Sequence, residues 1–305
     1  MMSVVDKRSE LVFLYDIKDA NPNGNPLDAN KPRIDEETGI NLVTDVRLKR
    51  TIRDYFFEYK GYDGKNGKDI FVREKENEDG SIQDGKTRAK DFEENPEKVL
   101  KECIDVRLFG GVIPLTGDSI TYTGPVQFQM GRSLHPVELK YIKGTGAFAS
   151  GAGKSKKTFR EEYVVPYSLI GFYGIINENA AQKTNLTEDD IDLLIEGIWN
   201  GTKNLITRTK VGQTPRLLLK VNYNEPNFFI GELKNYIDLK TDKRKEEIRD
   251  ADDYQLDITS LVDVLKNNQD KISSVDFKVN PRIEFVCDGK KINLEDLDNF
   301  ERIDL

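Results

Sequence analysis

The sequence has few of the residues that build most metal and thiol sites. Of 305 residues, one is histidine, His135, and two are cysteine, Cys103 and Cys287. A lone imidazole excludes HExxH proteases and any site needing two histidines, and two thiols cannot make a cysteine-rich zinc centre. Long apolar runs are missing too. The stretch from Val164 to Asn177 falls short of the roughly 18 residues a membrane helix needs, and Pro166, Gly171 and Gly174 interrupt it. The opening MMSVVDKRSE turns charged before a signal-peptide core forms. The expectation is therefore a soluble, cytoplasmic chain with no membrane partner. At 37% apolar residues it can bury a core and also carries polar loops. Its length allows two small domains or one large domain with insertions.

Charge is abundant and unevenly placed. The chain has 54 acidic and 46 basic residues, a net of −8. Residues 225–305 hold 20 of the acids and 13 of the bases, so the remainder is close to neutral. Three basic clusters lie in that remainder. One is Arg47, Lys49, Arg50 and Arg53; a second runs from Arg132 to Arg160; the third, Lys203 to Lys220, contains no acid. Local potential rather than net charge sets contact with an anion, so an acidic protein built this way can still bind a polyanion.

Periodicity outlines the elements. Leu11, Phe13, Tyr15 and Ile17 alternate as on a strand over residues 8–17. A connection rich in Asn, Pro and Gly follows. Thr44 then offers an N-cap to a helix whose apolar face is Leu48, Ile52, Tyr55, Phe56 and Tyr59. The polar stretch 61–101 reads as a mobile insertion ending in a short helix near Glu97. Residues 120–130 alternate as one half-buried strand, and 164–176 read as another. Thr187 and Asp190 resemble a capping box for a helix striped by Ile191, Leu194, Ile195, Ile198 and Trp199. Residues 216–223 close the set. The order predicts an α+β fold, a ferredoxin-like (RRM-like) βαββαβ unit with long insertions, in residues 1–224. An acidic region, 225–305, packs beside it.

Several motifs fail on inspection. Gly151 to Ser155 (GAGKS) ends like a P-loop, but Phe148 stands where the first glycine must wrap phosphate, which argues against an NTPase. The segment reads instead as a basic loop with Lys154, Lys156 and Lys157 free for phosphates. Asp19 to Gly24 opens like a calcium loop, yet its twelfth position is Asn30 and not Glu. Gly144-x-Gly146-x-x-Ala149 does not join a strand to a helix, as a dinucleotide fingerprint must. Asp35, Glu36 and Glu37 sit in a turn as solvated acids. His135, before Pro136, reads as a loop residue. No cofactor or metal is expected.

Three blocks point further. Asn21-Pro22-Asn23-Gly24-Asn25-Pro26 is followed by residues 31–39 (KPRIDEETG) and 42–55 (LVTDVRLKRTIRDY). Gly124-Pro125-Val126-Gln127-Phe128 leads to Arg132-Ser133, and Val165-Pro166-Tyr167 stands later. Together these resemble the CRISPR-associated backbone subunit (RAMP superfamily) of type I Cascade complexes, most like subtype I-B, with subtype I-C next.

That resemblance implies a hand: an RRM-like palm, a fingers insertion over 60–103 and a thumb hairpin over 133–163. It implies a non-catalytic protein that repeats along CRISPR RNA as the helical backbone of an antiviral surveillance complex. Its partners are then the guide, the target DNA strand paired to it, other copies of itself and other Cascade subunits. Phosphate contacts fall on Arg33, Lys49, Arg50, Arg53 and Arg132 and on the thumb-tip lysines Lys154, Lys156 and Lys157. Phe148 is a wedge against the guide or packs on a neighbouring subunit. Asn21 and Asn23 touch RNA or shape their loop. The rival is a phosphate-handling enzyme, an NTPase or a metal-dependent RNase. A subunit that accepts any guide should hold phosphates and leave base edges free for pairing.

Overall fold

Strand β1 (Ser9–Ala20) is buried along nearly its whole length, because both of its faces are covered. Leu11, Phe13, Tyr15 and Ile17 point to one core, and Val12 and Leu14 to another. The computed structural model describes residues 3–149 and 157–305. After β1 come the two-residue strands β2 (Gly24–Asn25) and β3 (Lys31–Pro32), then β4 (Ile40–Val43) and helix α1 (Asp45–Tyr59). Thr44 caps α1, accepting from the Arg47 N–H, as its sequence position predicts.

The segment after α1 contains α2 (Gly85–Lys90), α3 (Pro96–Glu102), α4 (Ile104–Phe109) and the hairpin β5 (Gly110–Leu115) and β6 (Asp118–Thr123). The sequence reads much of it as mobile; the structure gives it a core of its own, with Phe71, Phe92, Val99, Leu100, Val106 and Ile113. Its composition looks too polar because ion pairs supplement those few apolar residues. Buried Asp69 holds Arg73 and Arg88 at 2.8 and 2.6 Å.

Strand β7 (Val126–Phe128) returns to the main sheet, followed by β8 (Gly131–Pro136), β9 (Lys140–Ala149) and the 20-residue β10 (Lys157–Ile176). Residues 120–130 are thus two strands, not one. β6 pairs with β5, while β7 pairs with β10, and the break falls at Gly124-Pro125, where proline has no N–H for a ladder. Helices α5 (Glu178–Thr184) and α6 (Glu188–Asn204) lead to β11 (Thr214–Tyr223). The Thr187–Asp190 capping box is present. Gly197 and Gly201 let α6 approach α1 closely: an added Cβ would stand 3.0 Å from Phe56 and 3.1 Å from Tyr55.

The C-terminal region supplies β12 (Asp238–Lys240), β13 (Gln255–Asp257), α7 (Thr259–Asn267), β14 (Ile272–Val279), β15 (Phe285–Cys287), β16 (Lys290–Ile292) and β17 (Phe300–Arg302). The main sheet runs β17-β14-β11-β1-β10-β8-β4, with β7 and β9 also on β10. It is antiparallel except where β14 meets β17. One face packs on α1 and α6. The other is covered by Leu233, Ile237, Leu256, Leu261 and Phe285 from the C-terminal region.

His135 is not in a loop. It lies on β8 with 2% of its surface exposed, stacked on Tyr167. The Leu169 N–H can only donate, so Nε2 accepts it at 3.3 Å and Nδ1–H donates to the Pro136 carbonyl at 2.8 Å. Val137 is buried in the core as well, so the hairpin that projects from the sheet begins at β9. Burial pushes the His135 pKa below its ordinary value, with the Pro136 carbonyl opposing. The neutral ring therefore stabilises the fold fully above about pH 6.5, the unfolded value, and that contribution is lost as pH falls through the lower folded value. Urea unfolding midpoints between pH 7.5 and 5 should fall more steeply in the parent than in His135→Gln; equal slopes would contradict the assignment.

Candidate nucleic-acid interface

The sheet face opposite the helices, where an RRM stacks bases, is closed in this chain. Phe172 is buried in the helix-side core and Tyr173 in the C-terminal core, so neither offers a ring there. Any polyanion must meet the edges and loops.

Helix α1 carries three of the residues that the resemblance assigns to phosphate, and the structure engages all three. Arg53 donates Nε to Asp105 at 2.8 Å; Asp105 is fully buried and also accepts the N–H groups of Phe71 and Val72. Lys49 is 9% exposed and reaches Gln127 Oε1 at 2.8 Å and Asp45 at 3.1 Å. Both cations sit over the Phe109 ring. Arg50 pairs with Asp54 at 2.6 Å but stays half exposed. Arg53 and Lys49 thus tie α1 to the segment that follows it, and their geometry is structural.

Arg47 is held more loosely: it donates Nη2 to the Thr51 hydroxyl at 3.0 Å and stands 3.8 Å from Asp54. At the N-terminal end of α1, Asn23 Oδ1 accepts from the N–H and hydroxyl of Thr44. Asn21 donates Nδ2 to the Asn30 carbonyl and its N–H to the Thr209 carbonyl. Both asparagines therefore hold the β1–β4 connection against α1 and the loop after α6. These contacts bring Arg33, Arg47 and Lys210 to one end of the molecule. Among the described residues, the buried Nε of Arg33, the buried Nε of Arg47 and Asn21 Oδ1 have no hydrogen-bond partner. Burial pushes the Lys210 pKa down, and the Arg47 guanidinium pushes it further.

A second pair lies on the other face. Arg132 is half exposed on β8, with Asp35 no nearer than 3.6 Å. Lys234 lies across β10 where Gly171 leaves room; a Cβ there would stand 2.9 Å from its Cδ. Burial lowers the Lys234 pKa, Arg132 lowers it further, and Glu232 opposes. The sequence reading includes Arg33 and Arg132 and misses Lys210 and Lys234. The acid-free run around Lys210 is the signal that could have found it. Lys234 gives none, because it sits in the acidic region. Lys154 and Lys156 lie outside the described residues, as do the side chains of Phe148 and Lys157. The backbones of β9 and β10 pair as one antiparallel hairpin, and Leu139, Tyr141 and Ile142 are exposed near its base. Among the described residues no cluster of three His, Cys, Asp or Glu is arranged to hold a metal, and no helix is long and apolar enough to cross a membrane.

Removing Arg53 leaves Asp105 as an uncompensated buried charge, so Arg53→Ala should destabilise the fold by about 3–5 kcal/mol. Arg50→Ala breaks a half-exposed pair and should cost at most about 1 kcal/mol. Thermal and urea unfolding of the two variants checks this contrast.

A sequence-family model for "CRISPR-associated protein Cas7" matches residues 7–259. The CRISPR-associated protein Cas7 of Haloferax volcanii is 32% identical over 320 residues, covering 95% of this chain and 92% of the relative. Among solved structures, a chain of a CRISPR RNA-guided surveillance complex in a pre-nicking state superposes with TM-score 0.57 at 11% identity, covering 98% of this chain and 96% of that one. A chain of another CRISPR RNA-guided surveillance complex gives TM-score 0.57 at 12% identity, covering 98% and 95%. The two structures share the fold with this chain. The family match across most of its length, and the relative aligned nearly end to end, establish that the chain belongs to the CRISPR-associated Cas7 family.

Proposed function

We propose that this chain is a non-catalytic, sequence-independent CRISPR RNA-binding subunit, repeated along the guide as the backbone of a type I Cascade complex of the I-B branch. Strands β1, β8, β10 and β11 with α1 and α6 serve as an RRM-like palm. The segment 60–103 serves as fingers, the β9–β10 hairpin within 133–163 as thumb, and 225–305 as a region packed on the palm. The observation that carries the reading is the pair of cation sites, Arg47 with Lys210 and Arg132 with Lys234. Each sets two positive charges together, partly out of water, and the carboxylates that face the arginines, Asp54 and Asp35, come no nearer than 3.8 and 3.6 Å. Such an arrangement costs stability in the free protein and becomes favourable once a phosphate sits between the charges. With the flat face closed, the guide follows the sheet edge and leaves its bases for the target DNA strand. Neighbouring copies and other Cascade subunits then meet along it.

Exchanging Arg47 and Lys210 for Gln should weaken binding of unrelated RNA sequences by the same factor. It should also flatten the salt dependence by roughly 0.7 in log–log slope per lost contact. The exchange removes a like-charge pair but also the Arg47 contacts with Thr51 and Asp54, so the melting temperature should change little. Unchanged affinity and slope would refute this interface. Residues 140–143 are exposed, so a short Gly/Ser linker replacing 140–157 should leave a folded chain. That chain should bind RNA weakly and lose nuclease protection at regular intervals; protection with the parent's periodicity would refute the thumb.

A further inference from the structure

The C-terminal region holds a cavity of about 280 Å³ between α7, β14 and the start of β17. Its lining residues all fall within 262–300, after the residues 7–259 that the family model matches, so that match does not account for it. Six apolar side chains wall it: Val262 and Leu265 from α7, Ile272 and Val275 from β14, and Leu297 and Phe300, which lead into β17. The Val275 N–H donates to the Asn299 carbonyl at 2.9 Å and the Phe300 N–H to the Leu297 carbonyl at 3.4 Å. The Phe300 ring lies 6.0 Å from that of Phe277. These contacts fix the wall that faces α7, so the cavity is preformed. An apolar cavity of about 150 Å³ takes up benzene, with its six carbon atoms. On that scale about 280 Å³ suits roughly eleven non-hydrogen atoms.

The rim is polar and carries both signs of charge. It consists of one cation, Lys266, one anion, Asp298, and two carboxamides, Gln269 and Asn299. All four are exposed, and among the described residues none makes a side-chain hydrogen bond or ion pair. Other charges of the same region are paired: Lys243 with Asp253 at 2.6 Å, Arg282 with Asp252 at 2.8 Å and Arg302 with Glu295 at 2.9 Å. A ligand with a single negative charge would meet Asp298 at this rim, and one with a single positive charge would meet Lys266. A zwitterion meets an opposite charge at each. We propose that the cavity binds a free α-amino acid with a large apolar side chain, of the size of leucine or phenylalanine. Its side chain fills the cavity, its carboxylate faces Lys266 and its ammonium group faces Asp298. Both charges then sit on the one carbon atom that leaves the apolar walls, and the carboxamides of Gln269 and Asn299 can donate to the carboxylate or accept from the ammonium group.

The test uses the full chain without RNA and reads amino-acid binding alone, so its outcome is independent of the RNA-binding reading. Calorimetric titration with L-phenylalanine should show saturable binding, and the melting temperature should rise with its concentration. Three analogues each lack one feature: phenylpropionate the ammonium group, phenethylamine the carboxylate and glycine the side chain. Each should bind roughly tenfold more weakly or worse. Lys266→Gln should erase the preference for phenylalanine over phenethylamine, and Asp298→Asn the preference over phenylpropionate. Both exchanges replace exposed side chains, so the variants should fold, which circular dichroism checks. Filling the cavity with Val262→Trp should abolish binding; if that variant does not fold, the two rim variants decide alone. No saturable binding of phenylalanine at millimolar concentrations would overturn the proposal. So would equal binding of either singly charged analogue, or rim variants that keep both preferences.

Discussion

The structure depends on burying both faces of one strand. β1 is central in the sheet, and each of its faces must be covered by a different part of the chain. Helices α1 and α6 cover one face through Leu48, Ile52, Phe56, Leu194 and Ile198. The C-terminal region covers the other, and two buried carboxylates of β1 tie it down. Glu10 accepts from the hydroxyls of Tyr173 and Tyr223 and from the N–H groups of Ile230 and Gly231. Asp16 accepts from Arg216 and Tyr167, and Tyr167 in turn meets Tyr254. Burial raises the Asp16 pKa while Arg216 opposes. Carboxylates this deep are tolerated only when their lone pairs are occupied, so these partners hold the C-terminal region in one position.

That arrangement has two consequences for the surface. Covering the second face removes the surface on which a bare four-stranded unit would stack bases. It also lays Lys234, from the covering region, across β10 at Gly171, where Arg132 of β8 is near enough to lower its pKa.

Cations in this chain divide by their neighbours rather than by type. Arg53, Arg88, Arg107 and Arg216 each meet a buried carboxylate, and Arg107 grips Asp190 with two hydrogen bonds while Asp190 also completes the α6 capping box. These pairs join α1, α4, α6 and β11 to their surroundings. Arg47 and Arg132 face only partly exposed carboxylates at longer range, Asp54 at 3.8 Å and Asp35 at 3.6 Å.

The amino-acid sequence by itself determined the elements whose causes are local. The alternation in β1, the Thr44 cap with the stripe of α1, the capping box of α6 and the turn chemistry of residues 21–39 act within a few residues, and each was legible. The block around Asn21 to Arg53 also carried the family. The strand break at Gly124-Pro125 was written in the sequence as well, but alternation on both sides of it concealed that the halves join different sheets. Only the tertiary structure decided which charges are neutralised. Arg53 meets a carboxylate 52 positions away and Arg107 one 83 positions away, whereas Lys210 meets another cation. Periodicity and capping are short-range effects, but desolvation and charge pairing are set by whatever the fold brings within a few ångströms, and that is invisible until distant segments are packed.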